Sequence, residues 1–165
     1  MTPAAYLNSL PLPAARTALG RCCGARRWVE AMLAARPFAS DAELLAAAER
    51  VWWGLGRTDW LEAFAAHPRI GERGSGGALT DWARREQAGA DGAAGATLAA
   101  LAQGNLTYEE RFGHVFLISA TGKTADEMLG ALRGRLTNDP GTELRVAAAE
   151  QAKITRLRLD KLVVS

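Results

Sequence analysis

"SDAELLAAAERVWWGLGRTDWLEAFAAHP", residues 40–68, decides the fold class. Ser40 stands at a helix N-cap, and Glu43, three residues on, completes a capping-box pattern. The Ala- and Leu-rich run that follows is helical, and it stops at Gly54 or Gly56. Thr58 then reads as the cap of a second helix, with Trp60, Leu61 and Phe64 as its apolar stripe. That helix ends at or just before His67, because Pro68 pushes the residue before it out of the α region.

The same grammar extends in both directions. Thr2-Pro3 reads as N-cap and first helical residue, with Tyr6, Leu7 and Leu10 on one face. Pro13 opens a short helix ending near Gly20. In "ARRWVEAMLAARPF" Trp28, Met32 and Leu33 sit at helical spacing until Pro37 stops the run. Beyond the loop "PRIGERGSGGAL", "TDWARREQAG" begins with a Thr cap, and "GATLAALAQGNLTYEERFG" predicts a helix interrupted around Gly104-Asn105. "HVFLIS" is the one short apolar run with β-branched content, read as extended or as a tight turn. A second capping box, Thr124 to Glu127, opens "TADEMLGALRGRL". After "TNDPG" a long amphipathic helix carries Leu144, Ala147, Ala148, Ile154, Leu157 and Leu162 near one side. The expectation is an all-α, single compact multi-helix domain over residues 1–165, with no repeat and no linker.

Bulk properties narrow the function. The 165 residues carry 20 basic and 18 acidic side chains, interspersed, for a net charge of +2. That balance gives no electrostatic case for nucleic acid or membrane binding. No run approaches the ~20 apolar residues of a spanning helix, and the start lacks a basic region followed by a long apolar stretch. Cys22 and Cys23 are adjacent, poor geometry for a mutual disulfide, so a cytoplasmic setting is expected. The final "VVS" is not a peroxisomal tripeptide.

Two tempting motifs fail. "ATGKT" ends like a phosphate-binding loop, but the required glycine five residues before Gly122 is Leu117. His67 and His114 have neither HExxH nor CxxC company, so no metal site is expected. Trp52 and Trp53 point about 100° apart on a helix, one toward the core and the other available to a partner subunit.

The surviving constellation begins at His67. A helix-terminal histidine is either a capping or solvated side chain or an imidazole presented from a stiff junction. Pro68 fixes the backbone there, and "GERGSGG" is able to fold over a ligand. Glu86, on the helix begun by "TDWA", is either a surface acid or the partner of an acid–base pair. Arg156 and Arg158 point to roughly opposite sides of the last helix, so at most one faces a pocket. An inward arginine implies an anionic ligand, since an unpaired buried charge is costly.

"HPRIGE", "REQAG", "FGHVFLISATGKTADEML", "RLTNDPGTEL" and "ITRLRLDKL", in that order and spacing, make the chain resemble the 2-oxo-4-hydroxy-4-carboxy-5-ureidoimidazoline (OHCU) decarboxylase family, from "LNSLP" to "LDKLV". The resemblance implies an all-helical, usually homodimeric enzyme without metal or organic cofactor. It would convert an anionic ureidoimidazoline to (S)-allantoin in urate catabolism. By the same resemblance His67 is the catalytic histidine and Pro68 its substrate-contacting neighbour. Glu86 and Gln87 match the family's "EQ" pair. The backbone of Phe116, Leu117, Ile118 and Ser119 lines the substrate pocket, and Arg158 holds the anionic group. The family commonly has serine where this chain has Ala83. Losing that hydroxyl contact weakens binding by about 1 kcal/mol unless water or Thr80 replaces it. The rival expectation is a non-catalytic helical module that binds a purine-derived anion or a partner protein.

Overall fold

The computed structural model describes residues 1–69 and 91–163, the side chains of 91–94 excepted. Among the described residues there are eight helices and no strand: α1 (Pro3–Ser9), α2 (Leu12–Cys22), α3 (Arg26–Ala35), α4 (Asp41–Trp53), α5 (Arg57–Ala65), α6 (Asp91–Phe112), α7 (Ala125–Arg135) and α8 (Pro140–Asp160). The all-α expectation is met. The chain divides into two compact units, one of residues 1–66 with 148–165, the other of residues 67–147. The last helix contributes residues to both.

The helix starts follow the caps. Thr2 Oγ1 accepts from the Ala5 N–H at 3.2 Å, Ser40 Oγ from that of Glu43 at 3.1 Å, and Thr124 and Glu127 form a complete reciprocal box. Thr58 is not a cap: α5 begins at Arg57, with Gly56 as N-cap and the first bond running from the Trp60 N–H to the Gly56 carbonyl at 3.0 Å. At the far end of the chain Asp139 caps α8, accepting from both the N–H and the hydroxyl of Thr142.

In the first unit α3 packs on α2, α4 and α5, and α1 packs on α2 and α4. Leu7, Leu19, Trp28, Met32, Leu44, Phe64 and Leu159 are fully enclosed. A buried indole needs a partner for its N–H. Trp28 donates to the Ala48 carbonyl, Trp52 to that of Ala148 and Trp60 to that of Trp52. Trp53 is half exposed and donates to Glu49 instead.

The second unit is built on α6 against α7, around Leu101, Tyr108, Phe116, Ile118, Met128, Leu129 and Leu132. The predicted interruption at Gly104-Asn105 does not occur; α6 runs through. Asn105 donates its side-chain amide back to the Leu101 carbonyl at 2.9 Å, and Gly104 leaves room for Leu132, whose Cδ2 would lie 2.4 Å from an added Cβ. The glycine serves close packing here.

On α8 the enclosed stripe is not the predicted apolar one. Glu143, Ala147, Gln151, Thr155 and Leu159, four apart, are buried, whereas Leu144, Ile154 and Leu157 are half exposed and Leu162 lies beyond the helix end. Ala147 and Ala148 are enclosed as expected.

Candidate active site

The histidine junction is built from its flanks. α5 closes with the Ala66 N–H donating to the Ala63 carbonyl at 3.2 Å, and His67 follows, half-buried, outside the helix. Gly24 lies so close to this end that a Cβ there would meet the Ala66 Cβ at 2.6 Å. Beyond exposed Pro68, Arg69 Nε reaches Glu109 Oε2 on α6 at 2.7 Å. A side chain in this place leaves helical geometry with its backbone tied down two residues later. Ala83, Glu86 and Gln87, with Thr80 and the loop from 71 to 77, lie outside the described residues.

Arg158 is exposed near the end of α8, in the first unit, with Nη1 donating to the Arg21 carbonyl at 3.2 Å. One turn earlier Thr155, enclosed, accepts from Gln151 at 2.9 Å and donates to the Cys22 carbonyl at 3.3 Å. This ladder satisfies carbonyls at the end of α2, which have no partner within their own helix, and so pins the register of α8 against that end. Cys22 and Cys23 are enclosed free thiols. Burial pushes them up to about 12 and about 11 respectively, which makes them poor nucleophiles. Arg156 is also exposed, beside a small hollow that includes Leu45, Ala48, Trp52 and Thr155.

The third element is the non-helical segment 115–120, carried in the second unit between α6 and α7. Gly113 at φ 79° and Gly122 at φ 78° bracket it; both angles favour glycine, and they let the chain turn in and out. Phe116, Leu117, Ile118 and Ser119 are all enclosed. Buried backbone groups almost always find partners. Here the carbonyls of Leu117 and Ser119 do, from Arg135 Nη1 at 2.7 Å and Lys123 Nζ at 2.9 Å. Among the described residues nothing accepts from the N–H groups of Phe116, Leu117 and Ile118. Three successive buried donors are suited to a ligand rich in acceptors.

Sequence reasoning missed two anchors of these elements, the Arg69–Glu109 pair and a buried Arg135–Glu143 pair. The second frames "RLTNDPGTEL", and an arginine and a glutamate on either side of an Asp-Pro-Gly turn are the signal that was there to be read. Among the described residues no group of three or more His, Cys, Asp or Glu is placed to hold a metal, and no helix is long and apolar enough to cross a membrane.

Residues 8–160 match the family model for OHCU decarboxylase. The uric acid degradation bifunctional protein TTL of Arabidopsis thaliana is 43% identical over 146 residues, 86% of this chain. The chain spans 45% of that protein's length. The 2-oxo-4-hydroxy-4-carboxy-5-ureidoimidazoline decarboxylase of Haloferax volcanii is 34% identical over 135 residues, 80% of this chain and 79% of that one. A crystal structure of OHCU decarboxylase in the presence of (S)-allantoin superposes with a TM-score of 0.74 at 37% identity, covering 88% of this chain and 96% of its own. With nearly its whole length inside the family model, the chain belongs to the OHCU decarboxylase family.

Proposed function

We propose that this chain decarboxylates 2-oxo-4-hydroxy-4-carboxy-5-ureidoimidazoline to (S)-allantoin, in the breakdown of urate. The match over residues 8–160 carries the reading, and the row of buried amides at 116–118 supports it.

The substrate supplies its own electron sink, an imine beside the carbon that bears the carboxylate. As the bond to the carboxylate breaks and CO2 leaves, its electron pair forms a ring C=C and the imine nitrogen takes up the displaced pair and a proton. The hydroxyl-bearing enol then becomes a carbonyl as a proton arrives on the ureido-bearing carbon from one face. Such a reaction asks the protein for orientation, charge complementarity and a directed proton. In the proposal the amides of Phe116, Leu117 and Ile118, with Ser119, bind the acceptor oxygens of the ureido group and ring. Arg158 pairs with the anion. His67, with Pro68 stiffening its backbone, handles the proton at the hydroxyl. Glu86 and Gln87 orient the ring N–H groups, and Ala83 faces the substrate without a hydroxyl. The single domain, the homodimer and a cytoplasmic location belong to the same proposal.

The test uses freshly generated urate-oxidation product followed by circular dichroism. The chain should produce the signal of one allantoin enantiomer, and His67→Ala should abolish most of it while keeping the helical spectrum. A racemic product from the wild-type chain would replace this reading with that of a non-catalytic binder, which the missing hydroxyl at Ala83 favours. Sedimentation equilibrium tests the dimer.

A further inference from the structure

We propose that Arg135 and Glu143 are positioning residues for this reaction, holding the Phe116–Ser119 segment in the shape that presents its amides to substrate. The inference rests on the decarboxylase reading above. Arg135, at the end of α7, places Nε 2.5 Å from Glu143 Oε1 and 3.1 Å from Oε2, while Nη1 donates to the Leu117 carbonyl at 2.7 Å. The Glu143 side chain is 0% exposed and that of Arg135 10%. The guanidinium also lies over the Phe116 ring, 4.5 Å from its centroid. One side chain thus grips two consecutive residues of the segment, Phe116 by its ring and Leu117 by its carbonyl.

Stability alone gives little reason for this arrangement. A buried ion pair is often matched or bettered by apolar residues of similar volume. This one also leaves Arg135 Nη2 enclosed with no hydrogen-bond partner among the described residues. What apolar residues cannot do is hold an irregular backbone at a fixed rotation. Segment 115–120 has no helical ladder, so its rotation about the chain axis is set by whatever takes its carbonyls. The Leu117 carbonyl and the Ile118 N–H lie in one peptide plane, so fixing that carbonyl fixes where the Ile118 amide points and limits the rotation of the residues before it. The planar guanidinium suits the task because its nitrogens diverge at set angles. One edge meets Glu143 on α8 and another meets the segment, so α7, α8 and the segment share one register. Lysine, a single rotatable ammonium, cannot hold both directions at once.

The pair is separated from a merely structural role by two variants. Arg135→Lys keeps the charge and loses the fork; R135M/E143L removes both charges together and leaves no orphaned ion. Both are expected to unfold cooperatively, with kcat/KM at least tenfold lower and with a lower enantiomeric excess in the allantoin formed. Loss of stereocontrol is the readout that simple destabilisation would not move in the folded fraction. R135M/E143L folded, with wild-type kcat/KM and wild-type enantiomeric excess, overturns the inference while the wild-type activity stands. A wild-type chain that gives only racemic allantoin overturns the decarboxylase reading and this inference with it.

Discussion

Gly24→Ala tests how tightly the histidine junction is held. The added Cβ would sit 2.6 Å from the Ala66 Cβ, with the Ala63 Cα and carbonyl at 3.7 and 3.8 Å. Ordinary contact begins at 3.4 Å, so the two carbons must part by at least 0.8 Å. Neither alanine has a χ angle to rotate, so backbone must move: the loop after α2, the end of α5, or both. Overpacking of this kind costs typically about 1–3 kcal/mol. The functional effect should exceed what that loss explains, because His67, the proposed catalytic residue, follows Ala66. A displacement of about 1 Å at a reacting group is able to lower a rate by ~10²-fold. The expected outcome is a folded variant with kcat reduced about 10- to 100-fold. The assay is stereospecific allantoin formation under conditions where urea titration finds the variant fully native. Gly20→Ala is the control, since nothing lies within 4 Å of its would-be Cβ in α2. It should gain up to about 1 kcal/mol from helix propensity and keep its rate. Gly24→Ala with the expected loss of stability but the wild-type kcat would refute the view that the end of α5 sets the imidazole's position.

Three other outcomes are expected. Gly104→Ala should destabilise by up to about 2 kcal/mol, overpacking against Leu132 outweighing the better helix former, whereas Gly130→Ala, with open space around it, should stabilise by up to about 1 kcal/mol; equal and favourable shifts in urea midpoint would contradict the packing of α6 on α7. Burial raises both thiols above the ordinary 9.0, to about 12 for Cys22 and about 11 for Cys23, so the folded state holds those protons more tightly; stability due to them is complete below pH 9 and is lost as pH rises from there through 11 to 12, and C22A/C23A should flatten that decline in urea titrations. Arg158→Gln should raise KM for the anionic substrate far more than Arg156→Gln does, and equal effects in steady-state kinetics would reassign the anion clamp.

What the sequence made legible was what depends on near neighbours. Caps at Thr2, Ser40 and Thr124, and the end of α5 before His67-Pro68, are set by side chains within three or four residues of the backbone they serve. Gly104 was misread for the complementary reason. As a local signal glycine weakens a helix, but its neighbour Leu132 is 28 positions away, and only that distant contact gives the residue its use. The Thr58 cap failed by a similar margin, since Gly56 already accepts the first helical bond. Proline marks the histidine junction; no residue type marks the amides of 116–118, which the family resemblance alone singled out and for which no acceptor is found among the described residues.

The polar interior of α8 explains why hydrophobic periodicity found the wrong side of that helix. Apolar spacing identifies a buried face when the helix is held by burial alone. Here the enclosed positions are also the ones that tie irregular backbone elsewhere: Glu143 through Arg135 to Leu117, and Thr155, supported by Gln151, to Cys22. Thr155 donates to a carbonyl at the end of α2, and Glu143 holds the arginine that donates to a carbonyl outside any helix. A leucine in the same place would bury more apolar area and leave the carbonyl unsatisfied, at about 1–3 kcal/mol. The face that looks wrong by hydropathy is therefore the one doing the positioning. Its two polar ends serve the segment carrying the amides and the end of α2 against which Arg158 is held.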